Sequence, residues 1–395
     1  MTSFPWQNIP LAYLLGESAT ADFFANYYEQ QSLLSDHQQP QRFADLLSLA
    51  RIDEIVSGHD LSPGALSMAR KNPPIQRSFY TFKNGHIDRG AVLHHYQQGA
   101  TIILPQLHLA DARLASFCRA LESVFSTRVQ SNIYLTPPGN QGFSNHYDDH
   151  DVFVLQIAGE KHWRLYDKSL DKPFRGEKFK AAEHQPGALS REFTLKAGEC
   201  VYVPRGMMHD AQTVGSEPSL HITVGLLGQT WADLMLEAMS EVALRNDDFR
   251  RCLPPGYSGQ DFDSNAARQT FDTLLGKFAE QADFASVFEL MRDKYLRSLR
   301  PDVSGGLLQV DAGHNADAVF KLRLNTQALL RHDESEAVLI CAGGDIHFTA
   351  EHGAALQRIL SGEPFTQGDL PEVGSEQIEK MLHKLLAFGL IVRQD

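Results

Sequence analysis

Between about Gly90 and Leu227 the chain breaks into short apolar runs, "ATIIL", "SNIYLTP", "DVFVLQI", "HWRLY", "CVYVP" and "LHITVGL". They are rich in β-branched and aromatic residues and are separated by Pro, Gly and Asp turns, so each reads as a strand of a few residues. A succession of short strands closes into a β-sandwich or barrel, because an open sheet of this length would leave its edges unpaired.

The flanking segments have a different period. From Leu11 to about Arg70, "ADFFANYYEQQSLL" and "QRFADLLSLARIDEIVSG" carry apolar residues at three and four spacing, the second ending at Gly58, and this predicts an outer layer of helices. After the strands, "QTWADLMLEAMSEVAL" opens with Thr230 at the N-cap and Asp233 in the capping-box position. It sets Trp231, Leu234, Met235, Ala238 and Val242 on one face. Further helices are expected in "AARQTFDTLLGKFAEQ" and "FASVFELMRDKYLRSL". Their apolar faces are wide enough to pack on one another or on a second subunit.

From roughly Gln309 the pattern reads as a strand, a hairpin "EAVLICAGGDIHFT" turning at its two glycines, and a helix "EHGAALQRIL" ended by Gly362. A helix "SEQIEKMLHKLLAF" ended by Gly389 and a strand "LIVRQ" complete it. That order resembles a winged helix. Its second helix carries Glu376, Glu379, Lys380, His383 and Lys384, a mixed face that suits protein contact better than DNA. The expected division is therefore 1–89 as a helical N-terminal layer, 90–229 as the β core, 230–308 as a helical region and 309–395 as a winged-helix-like domain.

Charge and cysteine usage narrow the function classes. A formal net charge of −13 argues against phosphate binding driven by Lys and Arg and suits a basic partner instead. No direct DNA binding is expected. Cys118, Cys200, Cys252 and Cys341 are far apart with no C-x-x-C pair, so neither a disulfide framework nor a cysteine zinc site is signalled. The start "MTSFPWQNIP" has no basic region followed by an apolar one, and no apolar run is long enough to span a bilayer. A cytoplasmic protein without membrane attachment is expected.

The stretch "NHYDDHDVFVLQI", from Asn145, crowds charge at the mouth of a strand. In an extended chain His146 and Asp148 face one way and Tyr147 the other. An imidazole and a carboxylate side by side, joined by a second histidine from a distant strand, form the 2-His-1-carboxylate facial triad of non-haem Fe(II) oxygenases, with coordination positions left open for a 2-oxo acid and O2. "GECVYVPRGMMHDA" supplies the candidate third ligand, His209, after a strand end and a tight Pro-Arg-Gly turn. Asp149, His150 and Asp151 read as a solvated rim, His221 as a hydrogen-bonded histidine of the core or one that supports a site residue rather than a ligand, and His108, His162 and His184 as structural. A 2-oxo acid also needs a cation for its far carboxylate, and Lys161, on the strand that follows, is the candidate.

At these residues the sequence resembles the Jumonji-C oxygenases, and within them the ribosomal oxygenases. "QQGATIILPQLH", "SNIYLTPPGNQGFSNHYDDHDVFVLQIAGEKHWRLYD" and "GECVYVPRGMMHDAQ…SLHITVGL" match the successive motifs in order. The resemblance implies a mixed α and β fold with a double-stranded β-helix (jelly-roll or cupin) core, a helical dimerisation region and a C-terminal winged helix. It implies His146, Asp148 and His209 as iron ligands, Lys161 as partner of the 2-oxoglutarate side-chain carboxylate, and Asn132 and Tyr134 as lining the co-substrate pocket. Gly225 stands where some members have a serine, and Met207-Met208 replace larger or branched residues. The implied activity is Fe(II)-, 2-oxoglutarate- and O2-dependent hydroxylation at the β-carbon of an arginine or histidine in a ribosomal protein, by a homodimer. Tailoring of a small ribosomally made peptide and a non-catalytic binding scaffold are the competing readings, and histone-lysine demethylation a more distant one.

Overall fold

The computed structural model describes residues 4–168, 170–174, 176–309, 317–370 and 374–394, in two compact units, Met1–Gly228 and Gln229–Asp395. Among the described residues, ten strands build the first unit: β1 (Leu33–Ser35), β2 (Ser67–Ala69), β3 (Thr101–Leu104), β4 (Arg128–Thr136), β5 (Asp151–Ala158), β6 (Glu160–Tyr166), β7 (Leu189–Lys196), β8 (Cys200–Val203), β9 (His209–Val214) and β10 (Ser219–Leu227). They form two antiparallel sheets, one in the order β1-β8-β5-β10-β4-β3-β2 and the other β7-β6-β9. From β5 onward the chain passes repeatedly from one sheet to the other, which is the winding of a jelly roll.

The residue pattern explains the layering. On β5, Val152 and Val154 face the small sheet and pack with Trp163, Leu165, Leu195, Val201, Val203 and Met207. Phe153, Leu155 and Ile157 face the other way, into a larger core with Trp6, Phe23, Phe117 and Tyr202. A strand buried on both faces reads as a continuous apolar run, as "DVFVLQI" does. β6 is covered on one face only, so it alternates: Lys161, Trp163 and Leu165 are buried while Glu160, His162, Arg164 and Tyr166 are partly exposed.

Several expectations shift in detail. Residues 1–89 contain β1 and β2, which add an edge strand to each side of the large sheet. "ADFFANYYEQQSLL" is not one helix: a helix over Glu17–Asp22 widens into a π-turn at Phe23–Tyr27, and Leu33–Ser35 then pairs with Tyr202, Val201 and Cys200. Tertiary pairing overrides the helical spacing there. The second expected helix begins only at Leu49, where the Ser48 hydroxyl accepts from the Arg51 N–H, and it does end at Gly58. Within the β region the chain also makes helices Arg89–Gln97 and Ala112–Phe125, each N-capped by an aspartate, Asp88 and Asp111.

In the second unit, helix Trp231–Arg245 starts with the expected Thr230/Asp233 capping box. It packs Ala238 and Val242 against Phe278 and Val287 of helices Asn265–Gln281 and Phe284–Ser298. Trp231 and Met235, expected on the same face, are instead 76% and 50% exposed. The remaining elements are β11 (Phe320–Leu322), β12 (Ala328–His332), β13 (Glu336–Cys341), β14 (Gly344–Thr349), helices Gly353–Leu360 and Ser375–Ala387, and β15 (Ile391–Arg393). β12-β13-β14 is a meander and β11 pairs with β15, around a core that includes Phe320, Leu356, Phe365, Leu382 and Ile391. The hairpin turns at Gly343, whose φ of +87° a side chain would resist. Residues 310–316, where the sequence pattern would start this domain, lie outside the described residues. Among the described residues no helix is long and apolar enough to cross a membrane.

Candidate metal centre

His146 and Asp148 do not lie in a regular strand, since β5 begins only at Asp151. His146 instead forms an isolated antiparallel bridge with His209. The His146 N–H donates to the His209 carbonyl at 3.1 Å and the His209 N–H to the His146 carbonyl at 2.8 Å. Extended geometry still separates the side chains as expected. Tyr147 turns away and is buried, its hydroxyl donating to the Glu177 carbonyl and its ring packing on Phe179 and His184.

The Pro204-Arg205-Gly206 turn sets the third ligand. The Gly206 N–H donates to the Asp148 carbonyl at 3.0 Å. Gly206 has φ of +81°, and a Cβ there would lie 1.9 Å from the Leu170 carbonyl oxygen. Gly206→Ala is therefore expected to cost more than about 1 kcal/mol of stability, read as a lowered melting temperature together with weaker metal binding. Beside it, the Arg205 guanidinium pairs with Asp151 and Glu29, and the Tyr202 hydroxyl donates to Asp151 at 2.6 Å. Asp151 is thus a buried anchor of the turn rather than part of a solvated rim.

The two imidazoles present matching nitrogens. His146 Nδ1 is 2.9 Å from the Ser144 carbonyl and His209 Nδ1 is 3.1 Å from that of Met207, so each Nδ1–H donates to backbone and each Nε2 keeps a free lone pair. His209 Nε2 lies 3.8 Å from Asp148 Oδ2, and ligand atoms of His146, Asp148 and His209 all fall within 4.8 Å of one another. Burial, and next the neighbouring His146, push His209 down to about 4, so it is a neutral ligand at pH 7. Two imidazoles and a carboxylate are a donor set for a divalent transition metal.

The triad opens on a cavity of about 280 Å³ between the sheets, also lined by Thr101, Tyr134, Thr136, Lys161, Trp163 and His221. Lys161 is 5% exposed and makes no ion pair among the described residues. Its Nζ lies 3.3 Å from His221 Nδ1, and burial lowers its pKa to about 7. Tyr134 stacks on His221 with centroids 4.8 Å apart. Asn132, on the same face of β4, does not line the cavity; its side-chain oxygen accepts from the Gln106 N–H at 3.0 Å. His150 leans over Gly225, where a Cβ would come 2.6 Å from its Nε2, so the missing side chain is the space the imidazole uses. Thr101, Thr136 and Trp163 were not legible as site residues, since each looks like an ordinary strand residue until the sheets are closed.

The profile of the family described as "JmjC domain" matches residues 104–234. That stretch of the chain is similar to a JmjC domain. The triad, Lys161, Tyr134 and His221 all lie within it, and its jelly roll is the one described above. Relatives include the "Bifunctional lysine-specific demethylase and histidyl-hydroxylase NO66" of Aedes aegypti, 29% identical over 79% of this chain and 53% of its own length. That of Dictyostelium discoideum is 27% identical over 97% and 82%. "Ribosomal oxygenase 1" of Gallus gallus is 29% identical over 74% and 51%. The chain thus spans about half the length of the mosquito and chicken proteins. Among solved structures, YcfD, "a Ribosomal oxygenase from Escherichia coli in complex with Cobalt and 2-oxoglutarate", has a TM-score of 0.57 at 15% identity, covering 95% of this chain and 98% of that one. This is a likeness of fold around the JmjC domain.

Proposed function

We propose that the protein is an Fe(II)- and 2-oxoglutarate-dependent protein hydroxylase acting on a histidine or arginine β-carbon of a ribosomal protein. The observation that carries this reading is the His146–Asp148–His209 triad facing, across one cavity, a buried lysine with no carboxylate partner among the described residues. An unpaired ammonium in a protein interior is costly and is kept where an anion will bind. Fe(II) held by the triad would supply, with O2 and 2-oxoglutarate, the oxidant for an unactivated C–H, leaving succinate and CO2.

The chain's own residues then have separate tasks. His146, Asp148 and His209 would hold the metal at the wall of the cavity they line, with space beside it for substrates. Lys161 pairs with the distal carboxylate of the co-substrate, and Tyr134 closes the pocket beside it. Asn132 lies outside the cavity lining and holds the Gln106 turn through its side-chain oxygen. Val152, Val154 and Trp163 keep the pocket dry, so that the oxidant meets only the positioned carbon. The acidic surface suits a basic ribosomal polypeptide, and the name histidyl-hydroxylase borne by several relatives favours histidine over arginine.

The same reading extends to the second unit. Exposed Trp231, Met235, Leu236 and Leu244 on helix Trp231–Arg245 support a homodimer formed through the helical region, and the strand and helix order from β11 to β15 supports a winged helix used for protein contact. A cytoplasmic location fits a ribosomal substrate. The test is mass spectrometry of ribosomal proteins from cells lacking the gene, incubated with the protein, Fe(II), 2-oxoglutarate and O2. One added oxygen on a single residue, absent with His146→Ala, is the expected result. Demethylation of a methyl-lysine peptide in its place would overturn the hydroxylase reading.

A further inference from the structure

Lys161 stands on β6 and His221 on β10, strands of different sheets, yet their polar tips meet at 3.3 Å beside the cavity. An ammonium has three N–H donors and no acceptor, so Nδ1 accepts and the ring carries its proton on Nε2. Burial first and the Lys161 charge second hold the His221 pKa well below its usual value, which keeps the ring in that neutral form. The ring has little freedom. It lies flat on Tyr134, its cross-strand neighbour, with 8° between planes, and meets Trp163 edge-on at 6.2 Å and 79°. Among the described residues the contact between Nζ and Nδ1 is the only hydrogen bond either side chain makes. A lysine has four rotatable bonds, and burial alone would leave its head free to turn from the ligand.

We propose that His221, clamped between Tyr134 and Trp163, is a positioning residue that holds the Lys161 ammonium where the distal carboxylate of the 2-oxo acid binds. The inference rests on the co-substrate reading above. It also gives the neutral imidazole a purpose: a carboxylate in its place would neutralise Lys161 and compete with the ligand, while an apolar residue would leave the ammonium unaimed.

The experiment is calorimetric titration of the full chain, loaded with Mn(II) under nitrogen, with 2-oxoglutarate and separately with oxalate. Oxalate chelates the metal but has no distal arm. His221→Leu is expected to weaken 2-oxoglutarate about tenfold, the loss of one charge-assisted hydrogen bond, and to leave oxalate unchanged. His221→Asn, whose side-chain oxygen can accept from Nζ, is expected to recover most of the affinity. Equal losses for both ligands, or no loss for 2-oxoglutarate, would overturn the positioning role while leaving the co-substrate reading intact. If Lys161→Ala binds 2-oxoglutarate as tightly as the unaltered protein, or that protein does not bind it at all, the co-substrate reading fails and the inference falls with it.

Discussion

With Asp148 changed to Ala, product formation is expected to fall by more than about a hundredfold, since even loss of an outer-sphere partner of a metal ligand costs about 10- to 100-fold. The fold is expected to survive. The Asp148 carboxylate is partly exposed and approaches His209 at 3.8 Å, while the backbone around it is held by the Gly206 N–H and the His146–His209 bridge, which no side-chain change removes. Metal affinity by titration and unfolding by circular dichroism separate the two effects. Full turnover by the variant would refute the assignment of the triad.

Replacing Lys161 with Met should move stability and binding in opposite directions. The ammonium is buried beside His221 on β10, Tyr134 on β4, Thr213 on β9 and Leu195 on β7, and the one carboxylate lining the same cavity, that of Asp148 in the triad, makes no ion pair with it. Filling the site with an apolar side chain of similar length is expected to stabilise the protein by about 1–4 kcal/mol, and to weaken 2-oxoglutarate by at least about a hundredfold, as expected when one partner of a buried charge pair is removed. The sign of the pH dependence follows from a folded pKa of about 7 against the ordinary 10.5. Between those values the unfolded chain binds more protons, so the unaltered protein gains stability as pH rises through that window. The advantage of the Met variant is therefore full below about pH 7 and gone by about 10.5. A melting-temperature difference that does not shrink across that range would refute a charged, buried Lys161.

The reach of the sequence is clear at these same residues. H-x-D before an apolar run, and a histidine after Pro-Arg-Gly, were enough to nominate His146, Asp148 and His209, because extended geometry and a tight turn are local properties. Lys161 was legible only by its place on the next strand. Asn132 shows the limit: alternation puts it on the face of Tyr134, but whether it reaches the cavity depends on the Gln106 turn, which folds back from another segment. Asp151 looked like a solvated rim because its partners, Arg205 and Glu29, are distant in the chain. Trp231 and Met235 have the spacing of a core face and are exposed, since periodicity marks an apolar stripe and not what covers it. The helix expected through Leu33 failed for a related reason: the edge of β8 is a partner that local spacing does not reveal.

The bridge between His146 and His209 has one more consequence. Two of the three candidate ligands fix each other through main-chain atoms alone, and the third hangs from a glycine N–H. The spacing of the donor atoms is thus written into the chain trace before any ion arrives, so the centre is a template that a metal fills and not a knot that a metal ties. The described residues of the loops 137–145 and 167–188 carry none of those three main-chain bonds. A side-chain change in either loop leaves all three in place, so the spacing of the donors stays in register while the surface above them varies.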